Sequence, residues 1–293
     1  MSSDPYDYSL SEPDKPAKAI DSGLYIVATP IGNLADMSHR AIEMLRAADL
    51  IAVEDSRVTG KLLHHLGLKK RMRPYHDHSS DADREALLAA ARQGVVVLVS
   101  DAGTPLISDP GYKLVRAARE AGIPVSTAPG ASAVITALSI SGLPTDRFLF
   151  AGFLPSKAKA RADVIAEIGN VKSTLVFYES GPRLGATLAA LAEQLGPREA
   201  VVARELTKKF EEVVSGTLPE LAERYAVAEP KGEIVLIVGA PGEAQAEQGD
   251  YESALRAALE TLPPAKAAKG IAKRFGVDRA EVYERAMALK AKE

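Results

Sequence analysis

From residue 23 onward, short apolar runs alternate with amphipathic stretches, a pattern that predicts strands and helices in turn. Strands are predicted at 24–28, 50–53, 95–99 and 123–127. The run Val95-Val-Val-Leu-Val99 is apolar at every position, as a strand covered on both faces must be. Between them the spacing predicts helices over about 38–47, after Glu54-Asp55-Ser56-Arg57 to Leu66, from Ser80 to Gly94, on to Gly122, and along the small-residue run 131–141. Ser80 with Asp83 forms a capping-box pattern. Asp109 followed by Pro110 reads as a helix start, with Asp as N-cap and Pro at the first helical position. Such a βαβ series predicts a parallel sheet flanked by helices.

Past residue 142 the pattern changes. Strands are predicted at 148–153, 174–178, 200–205, 210–215 and 233–238, with Thr217 and Glu220 capping a short helix between the last two. More consecutive strands predict a mixed sheet. The fold class expected is therefore α/β in two domains, a parallel-sheet domain over 22–140 and a mixed-sheet domain over 141–242. A polar, acidic leader over 1–21 lacks the apolar content to fold, and 240–250 reads as a linker. The segment 250–293 predicts a small helical appendage: an apolar stripe of Leu255, Leu259 and Leu262, then a basic helix carrying Lys266, Lys269, Lys273 and Arg274, then a helix capped by Asp278 with Glu281. Two short helices around Gly276 resemble a helix-turn-helix; a plain helical hairpin gives the same pattern.

Composition changes this picture in three places. The chain of 293 residues contains no cysteine, which excludes disulfides, cysteine-ligated metals and cysteine nucleophiles and suits a cytoplasmic protein. No apolar run approaches the ~20 residues of a membrane span. Net charge is −3, yet residues 261–292 carry eight Lys/Arg against three acids, and Lys69-Lys70-Arg71-Met72-Arg73 forms a second basic cluster flanked by His64, His65, His76 and His78. Each cluster alone suits a solvated face; together they admit a polyanionic partner. His64 and His65 point about 100° apart on a helix. His76 and His78 would share a face if their segment were a strand, but no metal site is expected.

The segment Ser100-Asp-Ala-Gly-Thr-Pro-Leu-Ile-Ser-Asp-Pro-Gly111 follows a buried strand, where open α/β sheets bind ligands. It holds Asp101 and Asp109, and no Lys, Arg or His occurs from Gly94 to Tyr112. A phosphate cradle wants a cation, so this loop suits a ligand with positive charge or hydroxyl and amine donors. S-adenosylmethionine offers a sulfonium, an ammonium and a ribose diol. The chain lacks G-x-G-x-x-G after its first strand, and it lacks a P-loop and a G-x-S-x-G elbow. Three polar clusters stand at expected strand ends: Glu54-Asp55-Ser56-Arg57, Tyr178-Glu179-Ser180-Gly181-Pro182-Arg183 and Arg204-Glu205-Leu206-Thr207-Lys208-Lys209. They offer arginines Arg57, Arg183 and Arg204 for phosphate, and Glu54, Glu179 and Glu205 as candidate bases, on the expectation that they converge on one cleft.

These motifs, with Leu24-Tyr-Ile-Val-Ala-Thr-Pro-Ile-Gly-Asn-Leu34 and Ala203-Arg-Glu-Leu-Thr-Lys208, resemble the ribosomal RNA small subunit methyltransferase I family of the tetrapyrrole methylase superfamily. The resemblance covers residues 24–240 and, more loosely, the tail. It implies two α/β domains, a homodimer, and S-adenosylmethionine-dependent 2′-O-methylation of a cytidine ribose in the decoding region of 16S ribosomal RNA, hence the small ribosomal subunit as partner. Matching the family's motifs places cofactor contacts at Pro30, Asp101, Gly103, Thr104, Pro105, Ala131 and Ser132, with Tyr178, Leu206 and Gly232 as approximate positions. Asp-Ser-Arg at 55–57 stands where the family pattern has Asp-Thr-Arg, a change that keeps the hydroxyl. Two other readings remain at this stage: methylation of a tetrapyrrole on the same fold, and a nucleic-acid-binding regulator with a ligand-sensing core.

Overall fold

A computed structural model describes residues 20–76, 78–227, 229–241, 251–275 and 277–290. The leader and linker expected at 1–21 and 240–250 lie almost wholly outside the described residues. The chain divides into two compact units. Unit 1 comprises Met1–Gly142 with Val202–Val214 and Gly232–Val235; unit 2 comprises Leu143–Val201, Ser215–Lys231 and Leu236–Glu293. The C-terminal α/β domain, expected to be continuous, is thus interrupted by two segments that group with unit 1.

The first sheet holds β1 (Gly23–Val27), β2 (Leu50–Val53), β3 (Met72–Pro74), β4 (Val95–Leu98) and β5 (Val125–Ala128) in the order β3-β2-β4-β1-β5. Every pairing is parallel. Alternate side chains serve opposite faces, as strand geometry requires. Tyr25, Val27, Val95 and Val97 pack with Met44 and Leu45 of α1 (His39–Ala47) and Leu63 of α2 (Ser56–His65). Leu24, Ile26, Val96 and Leu98 pack with Leu87 and Leu88 of α3 (Asp81–Gln93) and Leu114 of α4 (Tyr112–Glu120). Covering on both faces explains why β1 and β4 lack polar positions. The capping box of Ser80 and Asp83 is present.

Chain order decides where a site can form. After β1 the chain crosses to β2, and after β4 it crosses the other way to β5. The loops leaving the carboxyl ends of the adjacent strands β1 and β4 therefore diverge, and a switch point of this kind leaves a crevice in an open α/β sheet. α5 (Ala133–Ser141) follows β5 and closes on Gly142.

One expectation fails here. Helix α4 begins at Tyr112 with Gly111 as N-cap, so Asp109 does not cap it. Instead Asp109 is partly buried with a hydrogen bond to Ser100. Leu106 and Ser108 have left-handed φ values of 73° and 63°, which coils the segment before the helix starts.

The second sheet orders β6 (Phe148–Phe153), β7 (Thr174–Ser180), β10 (Glu233–Val238), β8 (Glu199–Arg204) and β9 (Glu212–Thr217) as β6-β7-β10-β8-β9 and is mixed. Its helices are α6 (Ala158–Ile168), α7 (Gly181–Leu195) and α8 (Leu218–Arg224), the last with the Thr217–Glu220 capping box. In the tail, α9 (Tyr251–Leu259), α10 (Pro264–Phe275) and α11 (Arg279–Lys290) pack around Leu255, Ala268, Ile271, Val282 and Ala286. The tail is therefore a three-helix cluster with its own core. No described helix is long and apolar enough to cross a membrane.

Candidate functional site

The loops after β1, β4 and β5 are tied together by hydrogen bonds. The Thr29 amide donates to the Gly103 carbonyl at 2.9 Å, and the Gly103 amide returns one to Thr29 at 3.1 Å. Thr104 Oγ1 donates to the carbonyl of Ala131 at 3.0 Å. Gly103 sits at φ 79°, and a Cβ there would meet Ile31 Cγ2 at 3.3 Å. A side chain would wedge the first and second loops apart, so glycine lets their backbones approach. Pro30, Thr104, Ala131 and Ser132 are partly buried around this junction and Pro105 is buried. The sequence-predicted loop positions of unit 1 therefore come together.

Beside the junction lies a group of carboxylates. Asp101 Oδ1 accepts from the Asp55 amide at 3.0 Å, and Glu54 Oε2 stands 3.4 Å from the Asp101 amide. Asp109 completes the group. Burial pushes its carboxyl up to about 6; the Ser100 hydrogen bond opposes this, and the charges of Glu54 and Asp101 add to it. Three acids so close repel one another and favour an incoming cation or hydrogen-bond donor. Asp55 itself is occupied. Its hydrogen bonds from the Arg57 side chain and backbone hold it down to about 2, with Arg57 Nε 3.0 and 3.1 Å from the two carboxylate oxygens.

The Arg204–Lys208 segment also belongs to unit 1 and meets the first loop. A Cβ on Gly32 would fall 2.4 Å from Lys208 Cγ and 3.1 Å from the carbonyl oxygen of Leu206, which is buried. Glu205 and Thr207 adopt φ values of 51° and 64°. Lys208 Nζ clamps the turn, donating to Glu205 at 2.9 Å and to Glu233 at 2.8 Å. The hydrogen bond from Lys208 holds the Glu205 carboxyl below its usual range, although burial opposes it. Burial also works against the charge of Lys208, but the two carboxylates outweigh it and hold the ammonium above its ordinary value. Lys208 was legible only as part of a motif; its partner Glu233 is too distant in sequence to signal the pair. Arg204 is tied to Glu212 through Nε at 3.1 Å and Nη2 at 3.0 Å.

The remaining candidates stand in unit 2. Glu179 is buried. It accepts from Thr187 Oγ1 at 2.6 Å and from the Ser180 amide at 2.8 Å, with Arg183 Nε 3.3 Å away. Arg183 also donates to the Leu154 carbonyl. Tyr178 packs its ring on Phe150 and Phe153, with centroids 4.8 and 5.6 Å away. Among the described residues no group of three or more metal-ligating side chains forms, and His76 and His78 lie outside any strand.

Comparison with known proteins gives a consistent result. The model of the tetrapyrrole (corrin/porphyrin) methylases matches residues 23–222, and that of the RsmI C-terminal HTH domain matches 245–290. A protein of Erythrobacter litoralis named ribosomal RNA small subunit methyltransferase I is 55% identical over 94% of this chain and 99% of its own length. The Escherichia coli O157:H7 protein of that name is 49% identical over 90% of this chain and 94% of its own. Among solved structures, a diphthine synthase superposes with a TM-score of 0.59 at 17% identity, covering 74% of this chain and 89% of that one. A Thermus thermophilus uroporphyrin-III C-methyltransferase complexed with S-adenosylhomocysteine gives 0.51 at 22%, covering 74% and 97%. At such identities these two structures show the shared fold.

Proposed function

The chain belongs to the ribosomal RNA small subunit methyltransferase I family of the tetrapyrrole methylases, and on that premise we propose that it methylates the ribose 2′-oxygen of a cytidine in the decoding region of 16S ribosomal RNA, with S-adenosylmethionine as donor. The observation that carries the donor assignment is the carboxylate group of Glu54, Asp101 and Asp109 beside the Thr29–Gly103 junction. Its chemistry fits a molecule with a sulfonium, an ammonium and a diol, which carboxylates recognise by charge and by accepting hydrogen bonds. The cradle at Gly103 fits as well, because backbone there is open to close approach. Pro30, Thr104, Pro105, Ala131 and Ser132 line the same junction, and Leu206 and Gly232 belong to the turn beside it.

When bound, the donor supplies an electrophilic methyl group whose sulfur departs as a neutral thioether, so no acid is needed. The chain's residues must align the ribose oxygen and take up its proton. Of the three candidate bases we assign that role to Glu54. Glu205 is neutralised by Lys208, and Glu179 is buried with its oxygens engaged. All three arginines are ion-paired, Arg57 with Asp55, Arg183 with Glu179 and Arg204 with Glu212. The Arg57 side chain is 87% exposed against 30% and 20% for the other two, so it is the arginine accessible to a phosphate. That pattern supports the RNA reading over a flat polycarboxylate, which would ask for several arginines turned inward.

The test is a map of 2′-O-methylated riboses in small-subunit RNA from cells lacking the protein. A decoding-region cytidine should lose its methyl group and regain it on complementation. An unchanged map would overturn the assignment.

A further inference from the structure

From Ser56 to His76 the chain contains no Asp or Glu, yet it carries Arg57, Lys61, Lys69, Lys70, Arg71 and Arg73 together with three histidines. This is the most one-sided charge in a chain whose net charge is −3. Five of these positions, Arg57, Lys61, His64, Lys69 and Arg71, are exposed on α2 and the turn that follows it in unit 1. On α2, Arg57, Lys61 and His64 recur at i, i+4 and i+7 and are all exposed, while Thr59 and Leu63 are buried beneath. At 1.5 Å per residue the row from Arg57 to His65 is about 12 Å long. It starts at the Asp55–Arg57 turn beside the carboxylate group and leads away from it.

Beyond α2 the row continues through the turn to β3. Lys70 points inward, donating from Nζ to the carbonyls of Arg46 and Ala48 at the end of α1, the latter at 2.9 Å. That anchor leaves its neighbours Lys69 and Arg71 exposed on either side. Arg73, by contrast, is paired with Asp83 at 2.9 Å. Between helix and turn lies an open hollow of about 460 Å³ lined by Gly60, Leu63, His64, Lys69, Lys70 and Met72.

The geometry points to this row as a track for the phosphate backbone of the RNA substrate: Lys61, Lys69 and Arg71, with His64, bind the strand that runs on from the nucleotide held beside Arg57. This deepens the proposed function and rests on it. The occupant is a polyanion because the surface offers cations set on a rigid helix and an anchored turn, with no carboxylate between them in sequence to repel phosphate.

The triple variant Lys61→Gln/Lys69→Gln/Arg71→Gln of the full-length protein tests the track. None of the three belongs to the donor site or the proposed proton transfer, so S-adenosylmethionine affinity and kcat should stay at wild-type values. Affinity for 16S ribosomal RNA should fall about tenfold or more at low salt, and the slope of log affinity against log salt should shrink by about 2. The charge-keeping variant Lys61→Arg/Lys69→Arg/Arg71→Lys should restore both. A wild-type protein that methylates the RNA while the triple variant binds with the same affinity and salt slope would overturn the track alone. RNA affinity that stays low in the charge-keeping variant would also overturn it, because the charges are then present and the loss is not theirs. A wild-type protein that leaves the RNA unmethylated but binds it through these charges would overturn the proposed reaction instead; one that does not bind RNA would overturn both.

Discussion

A Cβ on Gly232 would stand 2.3 Å from Oε1 of Glu205. The carboxylate that Lys208 clamps thus occupies the space that any other residue at 232 would claim, and Gly232 itself sits at φ 101°. Gly232→Ala should therefore cost stability twice, through backbone strain and by pushing Glu205 off Lys208 and the Glu233 amide. A loss of about 2–3 kcal/mol is expected in chemical denaturation. In the double variant with Glu205→Ala the clash disappears but the strain remains, so the two losses should not add. Strict additivity would mean that the two residues do not meet.

Glu179 offers a contrasting case, a carboxylate near a family motif whose contacts are all internal. Removing it strips Thr187 and the Ser180 amide of their acceptor and Arg183 of its partner. Glu179→Ala should destabilise the protein by about 3 kcal/mol, while kcat of the folded fraction stays near wild type. If instead kcat collapses with stability intact, Glu179 returns as a candidate base.

The acid Asp109 predicts a pH dependence. Its folded value of about 6 lies above the ordinary 3.8, chiefly because burial disfavours the charge. A raised carboxyl contributes stability that is fully present below the unfolded value and is lost as pH rises through the folded one. Asp109→Asn cannot ionise, so its stability relative to wild type should climb between about pH 4 and about pH 6 and then level off. A cation in the site favours the ionised acid, so wild-type donor affinity should also rise across that interval. Calorimetry at several pH values checks both, and parallel curves for the two proteins would remove Asp109 from the account.

What could be read from the sequence was what is decided locally. Strands Phe148–Phe153 and Glu233–Val238 and the capping boxes at Ser80 and Thr217 stand where the pattern puts them, because each depends on residues within a few positions. The pattern singled out no helix for α6 or α7. α6 buries little beyond Ile165, so it has a weak apolar stripe, and α7 opens on Gly181-Pro182, which reads as a turn although Pro suits a first helical turn. β3 is three residues long and forms only by pairing with β2. The site behaved likewise. Its loops were visible as motifs, but the left-handed backbone at Leu106, Ser108, Glu205 and Thr207 is imposed by tertiary contacts on residues that do not favour it. The Lys208–Glu233 and Thr29–Gly103 contacts join positions far apart in the chain.

Glu54 carries the most demanding prediction. It follows β2, the strand beside β4, its carboxylate faces the amide of Asp101 in the loop after β4, and Arg57 stands three residues on at the mouth of the row on α2. Glu54→Gln keeps the shape and the acceptor oxygen while removing the basic site. If Glu54 takes the ribose proton, kcat should fall about a hundredfold, the lower end of what a positioned base contributes, with RNA affinity unchanged. Donor affinity should fall less than in Asp101→Asn, because Asp101 accepts from the Asp55 amide at 3.0 Å and holds the loops together as well as bearing charge. Single-turnover methylation with saturating donor separates these effects, since it reads the chemical step without the binding steps. A Glu54→Gln protein that methylates at the wild-type single-turnover rate would show that positioning alone suffices and that the proton leaves to water.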